Sequence, residues 1–96
     1  MDDWQTALAK SKIPLRMHEG ISRWITDGIK PGSFLHAVLR NDLIDAVNFA
    51  DEENRPLLRE YTLFLYNYAP MGCWGAEHRV RHWEADHIAR RERLEP

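Results

Sequence analysis

The stretch Pro14-Leu15-Arg16-Met17-His18-Glu19-Gly20-Ile21-Ser22-Arg23-Trp24-Ile25-Thr26-Asp27-Gly28 decides the fold class. Met17, Ile21, Trp24, Ile25 and Gly28 fall at i, i+4, i+7, i+8 and i+11, the rhythm of one buried stripe on an α-helix. Pro14 suits the opening of that helix, where its missing N–H has no intrahelical partner to lose. Gly28 can end it, because glycine tolerates the left-handed conformation that closes a helix, and Ile29-Lys30-Pro31-Gly32 follows as a turn.

Working outward, the same periodicity recurs on both sides. A first helix is predicted over residues 2 to about 12, with Asp2 or Asp3 as cap and Trp4, Ala7 and Leu8 on one face. Downstream, Ser33 reads as the cap of a third helix carrying Phe34, Leu35, Val38 and Leu39. Asn41-Asp42 breaks it, and Leu43, Ile44, Val47 and Phe49 continue in a short fourth. Asp51 is expected to cap the longest helix, over 52–69, with Pro56 admitted because it lies near the first turn. Leu57, Leu58, Tyr61, Phe64, Leu65 and Tyr68 form its apolar face. Residues 70–75 make a tight connection. The last helix, about 77–91, turns Val80, Trp83, His87 and Ile88 to the core. No segment alternates with the period of a strand. These readings predict an all-α fold, a compact bundle of five to six short helices forming a single helical domain over residues 1–96.

With 96 residues at 44% hydrophobic and 29% charged, the chain has the balance of one small globular domain. Such a domain buries only about 60–65% of its unfolded surface, which leaves little room for an elaborate internal active site. Thirteen Lys+Arg against fifteen Asp+Glu give a net charge of −2, which neither demands nor excludes a nucleic-acid partner. The single Cys73 has no disulfide partner in the chain, which suits a reducing compartment. Met1-Asp2-Asp3-Trp4 lacks the basic start and apolar core of a signal peptide. The longest apolar run, Leu63-Phe64-Leu65-Tyr66, is far short of the ~20 residues of a membrane helix. The expectation is a cytoplasmic protein with no membrane partner.

Four patterns bear on chemistry. His78, His82 and Asp86 stack at i, i+4 and i+8, and two histidines one turn apart can grip a metal. Nothing in the sequence supplies the remaining ligands, so a solvated face paired to Asp86 is the simpler reading, and no metal or cofactor is expected. The third and fourth helices have the outline of a helix-turn-helix, yet residues 43–49 carry no Lys or Arg for phosphates. Asp51-Glu52-Glu53 has a local reason as a complement to a helix dipole. Cys73 with His78 suggests a thiol and a base, but Cys73 lies between Gly72 and the bulky Trp74 and reads as a small buried hydrophobe. No nucleophile elbow or phosphate loop is present, so the chain is not expected to be an enzyme.

What remains is an excess of large amphipathic rings: Trp4, Trp24, Trp74 and Trp83, with Tyr61, Tyr66 and Tyr68. The core absorbs Trp24, Tyr61 and Trp83, while Leu63 and Tyr66 point away from the apolar face of their helix. Gly72 and Gly75 allow a short connection to aim Trp74 outward. The candidate partner-binding residues are therefore Tyr66, Met71, Cys73 and Trp74, with Arg79 and Arg81 beside them at the start of an arginine-rich last helix. In that helix Arg79, Arg81, Arg90, Arg91 and Arg93 interleave with Glu77, Glu84, Asp86, Glu92 and Glu95. A homodimer is also expected, through Leu63, Tyr66 and Trp4, because small folds cover apolar surface they cannot bury alone.

The blocks Ile13-Pro14-Leu15-Arg16-Met17-His18-Glu19-Gly20, Pro31-Gly32-Ser33-Phe34-Leu35, Asn41-Asp42-Leu43, Leu65-Tyr66-Asn67-Tyr68-Ala69-Pro70 and Gly72-Cys73-Trp74-Gly75 resemble a family of small accessory proteins of tailed phages and prophages. The resemblance spans residues 13–83 and departs at Ala76-Glu77, where similar proteins tend to have Ser-Pro. The family carries no established activity. The resemblance implies a context, a small protein made in the bacterial host cytoplasm during infection or lysogeny. With the aromatics, it leads to the expectation of a non-enzymatic inhibitor or modulator of a bacterial protein or effector complex, such as an anti-CRISPR-like antagonist of host defence. The alternative is a nucleic-acid-associated regulator using the arginine-rich helix. Far-UV circular dichroism is expected to give a helical spectrum with no strand component, and a substantial β signal would overturn the periodicity reading.

Overall fold

The computed structural model describes residues 3–94. Six α-helices follow one another: α1 (Trp4–Lys10), α2 (Leu15–Asp27), α3 (Ser33–Leu39), α4 (Leu43–Phe49), α5 (Leu58–Tyr68) and α6 (Glu77–Leu94). Short 3-10 turns at Arg55–Leu57 and Met71–Cys73 precede α5 and α6, and no strand occurs among the described residues. The fold is the all-α bundle that the periodicity predicts.

The starts and stops follow local chemistry. The Asp3 carboxylate accepts from the Thr6 amide at 2.8 Å and caps α1, while Asp2 lies outside the described residues. Gly28 closes α2 at φ 66°, with its amide on the Trp24 carbonyl at 3.0 Å. The third helix is capped by Gly32, and Ser33 is its first residue rather than its cap. Asn41 turns at φ 64°, and the Asp42 carboxylate then accepts from the Asp45 amide at 2.9 Å to start α4.

The sequence reading of 52–69 as the longest helix is corrected. The Asp51 carboxylate accepts from the Asn54 amide at 2.8 Å, which turns the chain locally, and Pro56 offers no N–H to an α-helical ladder. The segment therefore passes through a 3-10 turn and α5 begins only at Leu58. Asp51-Glu52-Glu53 consequently does not serve the end of a long helix. Asp51 and Glu53 instead hold Arg16 of α2, at 2.6 and 2.8 Å, and Glu52 pairs with Arg55. The longest helix is α6, which runs on to Leu94.

The stripe on α2 is buried as read: Ile21, Trp24 and Ile25 face inward and Met17 packs beside them. They meet Leu8, Phe34, Leu35, Leu39, Phe64, Leu65 and Val80 in one core. Trp24 and Tyr61 are each 1% exposed. The Tyr61 ring meets Phe34 edge-on at 5.2 Å, and its hydroxyl donates to the buried Asn54 side chain at 2.6 Å. Three further assignments are corrected. Trp4 is half-buried against the core rather than fully exposed. Ile88 and Tyr68 are exposed, Tyr68 at the rim of an open groove against α1. Leu43, Ile44, Val47 and Phe49 are exposed as well, and α4 buries only Ala46.

One glycine within α2 and the glycine that closes it test this packing in opposite directions. A Cβ at Gly28 would stand 2.5 Å from the His87 Cβ on α6, in a left-handed conformation. Left-handed strain costs about 1–2 kcal/mol and overpacking about 1–3 kcal/mol, so Gly28→Ala is expected to lose several kcal/mol in urea unfolding. A Cβ at Gly20 would meet only Leu35 Cδ1 at 3.5 Å, beside an apolar void of about 10 Å3. Gly20→Ala is expected to stabilise by about 0.5–1 kcal/mol through helix propensity. A neutral Gly28→Ala would show that α6 is not seated against α2.

Candidate interaction surface

The connection 69–76 is shaped from inside. The Trp24 indole N–H donates to the Cys73 carbonyl at 2.9 Å, and the Trp83 indole N–H donates to the Trp24 carbonyl at 2.8 Å. The Gly75 amide donates to the Leu39 carbonyl at 2.7 Å. These bonds pin the 3-10 turn between α2, α3 and α6. Gly75, at φ 110°, makes the bend into α6, and the Arg79 guanidinium lies over it, 3.0 Å from where a Cβ would stand.

The six candidate residues separate on this frame. Tyr66 is 78% exposed, as outward as its helix position suggests, and Met71, on the 3-10 turn, is 82% exposed. Trp74 is half-buried and meets the Tyr66 ring edge-on at 6.4 Å, so these two form one aromatic unit. Its indole N–H is buried and has no hydrogen-bond partner, a cost of about 1–3 kcal/mol. One part of the Trp74 ring thus docks against the bundle, and another backs an exposed tyrosine. Arg79 borders the unit and makes no ion pair among the described residues. Arg81, two residues on, projects about 200° away around the helix and pairs with Glu77 at 2.9 Å, so it does not join the same surface.

Cys73 is withdrawn from the surface. Its side chain is fully buried, and burial pushes the thiol up to about 12. A nucleophilic cysteine needs its pKa moved the other way, toward an exposed thiolate. His78, the base paired with it in the sequence, stands exposed on α6. His82 and Asp86 are exposed too, and no group of three or more His, Cys, Asp or Glu side chains is placed to hold a metal ion among the described residues. Glu95 of the charge pattern lies outside those residues. No helix among them is long and apolar enough to cross a membrane.

Sequence reasoning missed the outward face of α4. The available signal was the position of the alanines: Ala46 and Ala50 are the small residues at inward-facing positions, and the large residues surround them. The helix-turn-helix outline fares no better in three dimensions, since that outward face is apolar and its acids Asp42 and Asp45 are held by Arg40. No protein-family model, no curated protein and no solved structure matches this chain.

A thiol at about 12 is almost wholly protonated at pH 8. Folded protein is therefore expected to leave Cys73 unmodified by a thiol reagent at that pH, with one thiol appearing on addition of denaturant. Rapid modification of the native protein would contradict the buried placement.

Proposed function

We propose that the protein is a non-enzymatic binding protein that acts by occupying a site on a bacterial protein, in the manner of a phage-borne antagonist of host defence such as an anti-CRISPR inhibitor. The observation that carries this reading is the Tyr66–Trp74 pair. A large, 78% exposed aromatic is backed by a second ring on a turn anchored to the core. Rigid rings of this kind lose little conformational entropy on docking and are enriched among residues that dominate protein interfaces. Exposed Met71 adds an adaptable apolar contact on the same turn, and unpaired Arg79 adds a cation at the edge. The resemblance to phage and prophage accessory proteins supplies the setting, the host cytoplasm. A partner read through phosphates, the alternative use of the arginine-rich helix, would bind with a steep salt dependence. Most cations of α6 are already occupied: Arg81 by Glu77, Arg91 by the Asp27 carbonyl and Arg93 by the Ala89 carbonyl.

Tyr66 and Met71 test the reading without disturbing the core, because both are more than three-quarters exposed. Tyr66→Ala and Met71→Ala are expected to keep the wild-type melting curve. Each is expected to weaken retention of a host protein in pull-downs from bacterial lysate, by ~10-fold or more for Tyr66. Unchanged retention by a stable double variant would remove this surface from the function. Retention that instead collapses with added salt and nuclease would favour the nucleic-acid reading.

A further inference from the structure

Arg40 joins α3 to α4, and His36 completes the joint. The Arg40 guanidinium reaches Asp42 and Asp45 through Nη2, at 3.3 and 2.5 Å, and His36 Nδ1 through Nη1, at 2.9 Å. A guanidinium has five N–H donors and no acceptor, so the bond to His36 has fixed roles. His36 Nδ1 offers the lone pair, which puts the one ring proton on Nε2 and leaves the imidazole neutral. A protonated ring carries N–H at both nitrogens and would turn a donor and a positive charge toward Arg40. The bond therefore exists in one protonation state only.

The charged groups around His36 fall on two sides. Arg40 at the end of its own helix and Lys30 on the connection before it are cations, whereas α6 brings Glu77 and Glu84 toward the ring. Asp45 of α4 lines the same groove and is bound to Arg40. Glu77 pairs with Arg81, while Glu84 is half-buried and makes no hydrogen bond or ion pair among the described residues. The half-buried His36 thus has a second set of partners, of opposite charge, on a different helix.

We propose that His36 is an acid-sensitive latch at the junction of α3, α4 and α6: neutral, it completes the Arg40 joint, and protonated, it releases Arg40 and pairs with Glu84 and Glu77. The Arg40 side chain is only 17% exposed, so the freed Nη1 is poorly placed to recover its bond from water. Leu39, next to Arg40, accepts the Gly75 amide at 2.7 Å, which ties this joint to the start of α6. Burial, then the charges of Lys30 and Arg40, hold the His36 imidazole below its ordinary 6.5, against a smaller opposite pull from Glu84 and Glu77. The unfolded chain therefore takes up this proton at a higher pH than the folded one. The stability His36 contributes is fully present above 6.5 and is lost as the pH falls from there through the folded midpoint. Neither set of partners includes Tyr66, Met71 or Trp74, so this acid response is independent of the aromatic surface.

The test is an NMR titration of the 15N-labelled full chain from pH ~8 to ~4.5. At the alkaline end His36 is expected to carry its proton on Nε2, with Nδ1 bare. Its midpoint is expected below 6.5, and the backbone amides of Arg40, Asp45 and Glu84 are expected to shift with that same midpoint. Glu84→Gln removes one destination of the protonated ring and is expected to lower the midpoint further. Melting curves read the same event through stability. Wild type is expected to lose thermal stability between pH ~7 and ~5, and His36→Gln is expected to lose less, because its amide oxygen can still accept from Arg40 but does not titrate. A His36 proton on Nδ1 at pH ~8, a midpoint at or above 6.5, or amides that do not follow it overturns the proposal. So does a Glu84→Gln midpoint equal to wild type, or an equal acid loss in wild type and His36→Gln. If His36→Gln does not fold, the wild-type and Glu84→Gln titrations decide.

Discussion

Everything in this fold turns on how Trp24 satisfies its polar atoms. An indole is a large apolar body with one donor, and burying that donor unpaired costs about 1–3 kcal/mol. Trp24 is 1% exposed, so the donor must find a partner inside the protein. It finds the carbonyl of Cys73, 49 residues away in sequence. The Trp24 carbonyl in turn takes the Trp83 indole, 59 residues away, while still closing the end of α2 on the Gly28 amide. One residue therefore fixes the connection before α6 and the seat of α6 itself. Gly28 is a consequence of this arrangement, since α6 approaches so closely that His87 occupies the space a side chain would need.

A second polar seam does for the other half of the bundle what the tryptophans do for the first. Tyr61 is buried on α5, and its hydroxyl is satisfied by Asn54, whose amide is held by Asp51, whose carboxylate is bound by Arg16 on α2. The chain of bonds runs from the core to solvent, with the buried members fully paired and the ion pair left at the exposed end. The Asn54 amide, followed by Arg16, holds the Asp51 carboxyl below the usual aspartate range. That order suits the energetics, because desolvated charges are costly and hydrogen-bonded neutral groups are not. Helix α2 is thus tied to both halves, by Trp24 on one side and Arg16 on the other.

Helix α2 was also the most legible element, and for the same reason. Its periodicity is long enough to define a face, and its ends carry residues with strong local meaning, Pro14 and Gly28. The elements misread were those decided at a distance or by a single bond. Residues 52–57 look helical by composition, yet one carboxylate-to-amide bond at Asp51 and one proline turn them aside. The four apolar residues of α4 signal a helix face correctly but cannot say whether anything covers it. Only the assembled bundle shows that the alanines, not the leucine and isoleucine, point inward. At the candidate surface, exposure of Tyr66 was readable from its phase, whereas Met71 lies on the connection and has no helical phase. The reading of Cys73 as a small buried hydrophobe agrees with its burial, but its place among the partner-binding residues does not. Its burial follows from the Trp24 bond to its carbonyl, a contact with no local signature.

That bond also explains why an aromatic surface can stand on a connection rather than on a helix. Loops present binding residues well only when a scaffold holds them, since an unheld loop must be ordered at the moment of binding. Here Cys73 turns its carbonyl and its thiol inward, while its neighbours on either side reach the surface: Met71 at 82% exposure and Trp74 against Tyr66. The turn is a strip with one edge inside the core and the other outside it. The indoles of Trp24, Trp74 and Trp83 divide accordingly. Trp24 and Trp83 each spend their donor inside the bundle, whereas the Trp74 donor is spent on nothing. A core tryptophan whose only role was to pin α6 would gain by making such a bond, as the other two do. The Trp74 ring is held by the core on one side and by the Tyr66 ring on the other, with its own donor unpaired among the described residues.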